Sequence, residues 1–303
     1  MKKTIFLILF ALLFASCGEN ISEEMETGDS TAQVIKGDKT FNFRFDAFST
    51  CNKYCNNIYL HINYREKGDE RFSIYFYLKD NGAIDKITYL GDDGVFESSY
   101  FDPYNYFKIS NFEFDSITGS LYFEFKGNLF SNREPLFLNG KVDIPVLKDI
   151  ECRNYYANSL TLHDENKRLL SNRGGSIIDN PQTLQKKFRY EFYTDNGFRF
   201  TLNSEKNINE LPHGSYSFTV KDITNNVMLQ KYVGKADVTP SFYHKDWIQY
   251  ETTGSYAITG QYRRGEYNVT TGSIDIKAFD NDELKYDFEK IYFEAVNIEG
   301  ITI

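Results

Sequence analysis

Aromatic and aliphatic residues alternate with polar ones along most of this chain. A period of two belongs to strands, whose successive side chains point to opposite faces. The run from Lys187 to Asn203 carries the pattern well: Phe188, Tyr190 and Phe192 fall on one face, and Phe198, Phe200 and Leu202 continue it. Arg189, Glu191, Arg199 and Thr201 fall on the other and are expected to meet solvent, the mark of an antiparallel sheet packed on one side. Asp80-Asn81-Gly82 and Asp195-Asn196-Gly197 each close such an aromatic run. Asn-Gly between alternating runs predicts a hairpin, because both turn residues accept positive φ. A second echo lays Tyr106–Phe125 on Ser273–Lys290, matching Ile109 to Ile276 and Phe112 to Phe279. A competing register sets Thr118-Gly119-Ser120 on Thr271-Gly272-Ser273. Asn172–Ser176 (NRGGS) and Asn180-Pro181 read as loops, and Ser159–His163 as the first strand of a second unit. No amphipathic helix of ten or more residues follows the N-terminal apolar run. The expected fold is all-β, with two tandem antiparallel β-sandwich-like domains over 37–150 and 151–303.

The amino terminus breaks the pattern. Lys2 and Lys3 precede an apolar run, Ile5 to Phe14, which is the layout of a cleaved secretory signal. A spanning helix needs about 20 apolar residues, so this run is too short. The stretch LLFASCGE, Leu12 to Glu19, with Ala15 and Ser16 before Cys17, resembles the processing site of bacterial lipoproteins. Phe14 stands where that family's motif usually has Leu. The resemblance implies cleavage between Ser16 and Cys17 and a lipid on the Cys17 thiol, whose thiolate is the nucleophile. Each buried acyl methylene contributes about 0.8 kcal/mol to anchoring. Glu19, Glu23, Glu24, Glu26 and Asp29 then crowd a segment poor in apolar residues before Val34. Residues 17–36 are accordingly expected to be a disordered tether, with an r.m.s. reach of roughly 25 Å.

Acidic residues behind a lipidated cysteine resemble the export signal of Bacteroidota lipoproteins, which implies the outer membrane, on its periplasmic face or at the cell surface. Leu211–Phe218 (LPHGSYSF) and Asn268–Phe279 (NVTTGSIDIKAF) resemble motifs of small uncharacterised β domains in the same lipoproteins. That likeness implies architecture and location only. Asp29-Ser30-Thr31 and Asp115-Ser116-Ile117 resemble acceptor triplets for O-glycosylation in this group.

Composition narrows the partners. The formal charge of −9 becomes −11 once residues 1–16, with two lysines and no acids, are removed. Such a chain is a poor match for nucleic acid and for anionic headgroups, leaving the lipid as the membrane contact. The 27 Phe and 23 Tyr are a strand composition. Beyond Cys17, the CNKYC spacing lets Cys51 and Cys55 close a small disulfide loop. Pairing of Cys152 with either, or three reduced thiols, are the alternatives. His61, His163, His213 and His244 are scattered without ligand spacing, and no nucleophile elbow, phosphate loop or dinucleotide fingerprint is present. No metal, cofactor or catalytic residue is assigned. Asp92-Asp93 and Asp280, Asp282 and Glu283 offer calcium-type oxygens, with solvated turns as the simpler reading.

Trp247, with Tyr243 and Tyr250 near it, is a candidate glycan-stacking platform or a piece of the second core. The expected function is a lipid-anchored envelope protein acting as a non-enzymatic binding module for a glycan or an envelope protein. A glycan-binding accessory protein, a glycoside hydrolase and a structural subunit of an envelope complex are the alternatives.

Overall fold

A computed structural model describes residues 31–44, 50–64, 71–131, 134–150, 157–164, 167–179, 187–234, 246–265 and 267–297. These residues are all-β, as the alternation predicts, and form two sheets that divide the chain between Ile150 and Ser159. The first has eleven strands. They are β1 (Thr31–Lys36), β2 (Lys39–Arg44), β3 (Thr50–Tyr54), β4 (Asn57–Tyr64), β5 (Phe72–Lys79) and β6 (Ile84–Gly91). After these come β7 (Gly94–Glu97), β8 (Phe107–Phe114), β9 (Leu121–Ser131), β10 (Glu134–Ile144) and β11 (Lys148–Ile150). The order is β11-β3-β4-β5-β6-β7-β9-β10-β1-β2 with β8 on β9, antiparallel except for β11 on β3, and the sheet curls into a half-barrel.

The second sheet contains β12 (Ser159–Asp164), β13 (Lys167–Asp179), β14 (Lys187–Thr194), β15 (Phe198–Ser204) and β16 (Gly214–Phe218). It continues with β17 (Asn226–Tyr232), β18 (Trp247–Arg264), β19 (Tyr267–Asp280) and β20 (Glu283–Asn297). Its eight strands β18-β17-β15-β14-β13-β12-β20-β19 close on themselves through β18–β19 pairing, and β16 adds to β18. Each domain therefore makes its layers from one curled sheet, the arrangement that removes or shortens free edges. Closure needs tight backbone contact: a Cβ at Gly254 would lie 2.0 Å from the Asp275 carbonyl oxygen across the seam.

Burial follows the period of two. In β4 and β5, Ile58, Leu60, Ile62, Ile74, Phe76 and Leu78 point into the first core, where Phe76 meets Phe123 edge-on at 5.4 Å. Phe192 and Phe293 do the same in the barrel at 5.9 Å. Large aromatic cores of this kind dominate the apolar burial of small domains.

Four expectations change. The first sheet already holds the chain at Thr31, inside the expected tether, because Ala32 and Val34 are buried between β10 and β2. NRGGS lies within β13 instead of a loop. A bulge between Ser171 and Arg173 and the bare Gly174, where a Cβ would fall 2.6 Å from the Glu191 carbonyl oxygen, let β13 pass close to its neighbour. Glu191 and Thr201, expected in solvent, are buried: Arg199 and Tyr193 fold over Glu191, while Thr201 is flanked by Glu191 and Met228. In the Asp-Asn-Gly hairpins only Gly82 and Gly197 take positive φ, both +85°, and their N–H groups donate to Lys79 and Thr194. Each is thus a three-residue loop in which glycine alone carries the left-handed conformation.

The two Asp-Asn-Gly turns meet at the junction between the domains. The Ile84 N–H donates to Asp195 Oδ2 at 3.2 Å, and the Asp102 N–H to the Asp195 carbonyl at 2.7 Å. Arg168 of β13 holds Asp195 with both terminal nitrogens, at 3.2 and 3.1 Å, and donates to the Gly82 carbonyl at 3.2 Å. Asn172 Nδ2 bonds the Ile84 and Tyr100 carbonyls, each at 2.8 Å, and Arg173 reaches Asp85 at 3.0 Å. Beside this polar clamp, Phe101 of the first domain is fully buried among Tyr193, Tyr232 and Trp247 of the second, with ring centroids 5.3–5.7 Å away. A polar lock and an aromatic plug hold one domain against the other.

Candidate functional site

The same junction leaves a cleft of about 590 Å³. Ligand sites favour such places, where two rigid bodies meet. One wall is the outside of the barrel, where β12, β19 and β20 present Thr161, Thr271 and Glu294; the facing wall offers Lys53 from β3 and Asp80 and Asn81 from the turn after β5. Strand pairing explains the barrel side: Tyr292 and Glu294 are two apart on β20, so both project outward, opposite the small residues Thr161 and Ser159. Asn81 Nδ2 spans the gap to Thr161 Oγ1 at 3.5 Å.

The cleft is polar and its charges are matched. Arg264 holds Glu294 through both carboxylate oxygens, at 3.1 and 2.9 Å, and the Tyr262 hydroxyl donates to the same carboxylate at 2.8 Å. Asp80 keeps contact with water in the cleft while protein crowds its other sides. That crowding pushes its carboxyl up to about 6, with Lys53 drawing it down and Glu294 raising it further. Asn56, 7% exposed, lines the wall with an Oδ1 that has no hydrogen-bond partner among the described residues. A smaller cleft of about 230 Å³ lies along the junction and is lined by Asp102, Arg168 and Asp195. Burial holds the carboxyls of Asp195 and Asp102 above their ordinary range, against the pull of Arg168 on the first and of backbone N–H groups on the second.

The sequence candidates fall elsewhere. Trp247 is 7% exposed and wedged against Phe101, so its ring faces are spent on the domain contact and cannot stack on a sugar. Tyr250 packs edge-on to Tyr286 at 5.2 Å, and burial raises its hydroxyl to about 12. Tyr243, Ser16 and Cys17 lie outside the described residues. The Cys51–Cys55 loop is corrected: Cys55 is disulfide-bonded while Cys51 is a free thiol, pushed up to about 12 by burial. Two cysteines four positions apart, one on β3 and one in the turn after it, thus have different fates, and the partner of Cys55 lies outside the described residues.

The acidic clusters serve turns. Asn281 and Asp282 both take positive φ in the two-residue β19–β20 turn, and Asp93 pairs with Lys36 at 2.8 Å. Among the described residues no group of three His, Cys, Asp or Glu is placed to hold a metal. His61 stacks on Tyr75 at 4.3 Å within an outward aromatic ladder that includes Tyr59 and Tyr77. These are cross-strand packing pairs.

The cleft residues themselves gave little signal. Asp80 and Asn81 read as turn formers, and Lys53, Arg264, Tyr292 and Glu294 are spread over more than two hundred positions. Their one trace was the doubled Asp-Asn-Gly. Compared with known proteins, the chain matches no family model, no curated protein and no solved structure.

Proposed function

We propose that this protein is a lipid-anchored binding protein of the bacterial outer membrane, held through Cys17, and that the cleft between its two β domains takes the ligand. The observation that carries the binding reading is the cleft itself, a polar cavity of about 590 Å³ walled by residues of both domains. Its walls are fixed by Arg168, Asp195, Asn172 and Phe101, so binding is preorganised. Glu294 has both oxygens engaged by Arg264 and Tyr262, which suits a positioning role better than attack on a substrate. The anchor rests on the run that ends in Ala15-Ser16-Cys17, and the acidic residues behind it favour the outer membrane.

Metabolic labelling with an alkyne fatty acid tests the anchor. The wild type should label and fractionate with outer membranes, and Cys17→Ala should leave an unlabelled precursor. Equal labelling of both would refute it. Protease shaving of intact cells then separates the cell surface from the periplasmic face. For the cleft, Thr161→Trp fills the space beside Asn81 and should abolish ligand binding without changing the fold.

A further inference from the structure

We infer that the interdomain cleft takes a neutral, hydroxyl-rich ligand, a pyranose unit of a glycan, with Tyr292 as its stacking face and Asp80, Asn81 and Asn56 as its hydrogen-bonding wall. This rests on the reading of the cleft as the binding site. Three features of the cleft specify the chemistry.

The first is an available aromatic face. Tyr292 lines the cleft and is 63% exposed, because its strand neighbours Thr161 and Ser273 are too short to cover it. Tyr104, Phe137 and Tyr77 are also exposed, but none of them lines the cleft. An amphipathic tyrosine ring receives the C–H face of a sugar and leaves its hydroxyl at the wet rim.

The second is directional hydrogen bonding. Planar carboxylate and amide groups accept from and donate to neighbouring hydroxyls, and Asp80, Asn81 and Asn56 bring three such groups to one wall. Asn56, 7% exposed, backs this wall. Threonine hydroxyls of the barrel, Thr161 and Thr271 among them, face these groups.

The third is charge. Both cations of the cleft already have partners: Arg264 is bonded to Glu294, and the Lys53 amine lies over the Phe114 ring, 5.2 Å from its centroid. The chain as a whole carries a formal −9. An acidic or sulfated glycan would meet this charge without a cation assigned to it, whereas a neutral sugar would not.

The test is a glycan array probed with the detergent-solubilised full-length protein, Tyr292→Ala, and Tyr77→Ala as an aromatic control in the first sheet. The array carries neutral hexose and pentose oligosaccharides beside uronate-containing and sulfated ones. Neutral glycans should bind, Tyr292→Ala should lower the affinity about tenfold, and Tyr77→Ala should bind like the wild type. Circular dichroism checks that both variants fold. Preference for acidic glycans, or neutral binding indifferent to Tyr292→Ala, overturns the inference. A parallel thermal-shift screen against amino acids, nucleotides and organic acids, repeated with Thr161→Trp, separates the two levels of the argument. A hit there that Thr161→Trp abolishes, with no glycan bound, overturns the sugar and keeps the cleft; silence in both screens overturns both.

Discussion

Removing Arg168 should be among the most damaging single changes at the surface of the barrel. Its guanidinium holds Asp195, whose side chain is only 6% exposed, through two bonds of 3.2 and 3.1 Å, and it also ties the Gly82 carbonyl of the other domain. Arg168→Ala leaves that carboxylate buried without a counter-charge, a change that costs about 3–5 kcal/mol. Because Arg168 is itself 39% exposed, water relieves part of the loss, and about 3 kcal/mol is expected. Asp195→Asn keeps an acceptor for the Ile84 N–H and removes the charge, so it should cost about 1–3 kcal/mol. The double variant should cost less than the sum by about 1 kcal/mol or more.

Urea unfolding monitored by tyrosine fluorescence and circular dichroism gives all four free energies. The pH dependence supplies a second check. Burial already holds the Asp195 carboxyl above its ordinary value, and loss of Arg168 raises it further. The folded state then binds a proton that the unfolded state releases, so stability falls as pH rises from the ordinary carboxylate value through the raised one. The deficit of Arg168→Ala should therefore be greatest at neutral pH and narrow on acidification. A cost below about 1 kcal/mol, additive behaviour, or a deficit that grows in acid would refute the argument.

Phe101→Ala empties a fully buried site lined by three aromatic rings, so it should cost about 3–5 kcal/mol. It should also split a single unfolding transition into two; unchanged coincident transitions would show that the plug does not couple the domains. The register of β11 on β3 runs Asp149 with Lys53 and Ile150 with Tyr54, so β11 ends opposite the residue before Cys55. Peptide mapping without reduction should find Cys55 linked to Cys152, and Cys51 alkylated only after unfolding. Gly254→Ala forces a Cβ within 2.0 Å of the Asp275 carbonyl oxygen. It should lower the thermal midpoint of the barrel more than Gly265→Ala, a turn position with open space around it.

Much of the secondary structure was legible because its cause is local. Alternation buried Phe192, Phe200 and Leu202 as expected, and the Asp-Asn-Gly triplets made hairpins because glycine supplies the positive φ that the loop requires. What depended on tertiary partners was not. Glu191 is polar yet buried, since cross-strand neighbours cover it. NRGGS reads as a loop by composition, but its glycines serve a close strand crossing that only the paired strand reveals. Trp247 stood out as a lone tryptophan among tyrosines, and only the docking of Phe101 decides that its faces are used internally. The cleft was the least legible, because Lys53, Asp80, Thr161, Arg264 and Glu294 become neighbours only once two sheets have closed and locked.

That locking is the central claim, and native-state hydrogen exchange tests it residue by residue. The Ile84 and Asp102 amides donate across the junction to Asp195. They should exchange as slowly as barrel amides such as Phe200, and Arg168→Ala should speed both together. Exchange of Ile84 and Asp102 at the rate of an open turn, unaffected by Arg168→Ala, would mean that the domains move independently and that no fixed cleft lies between them.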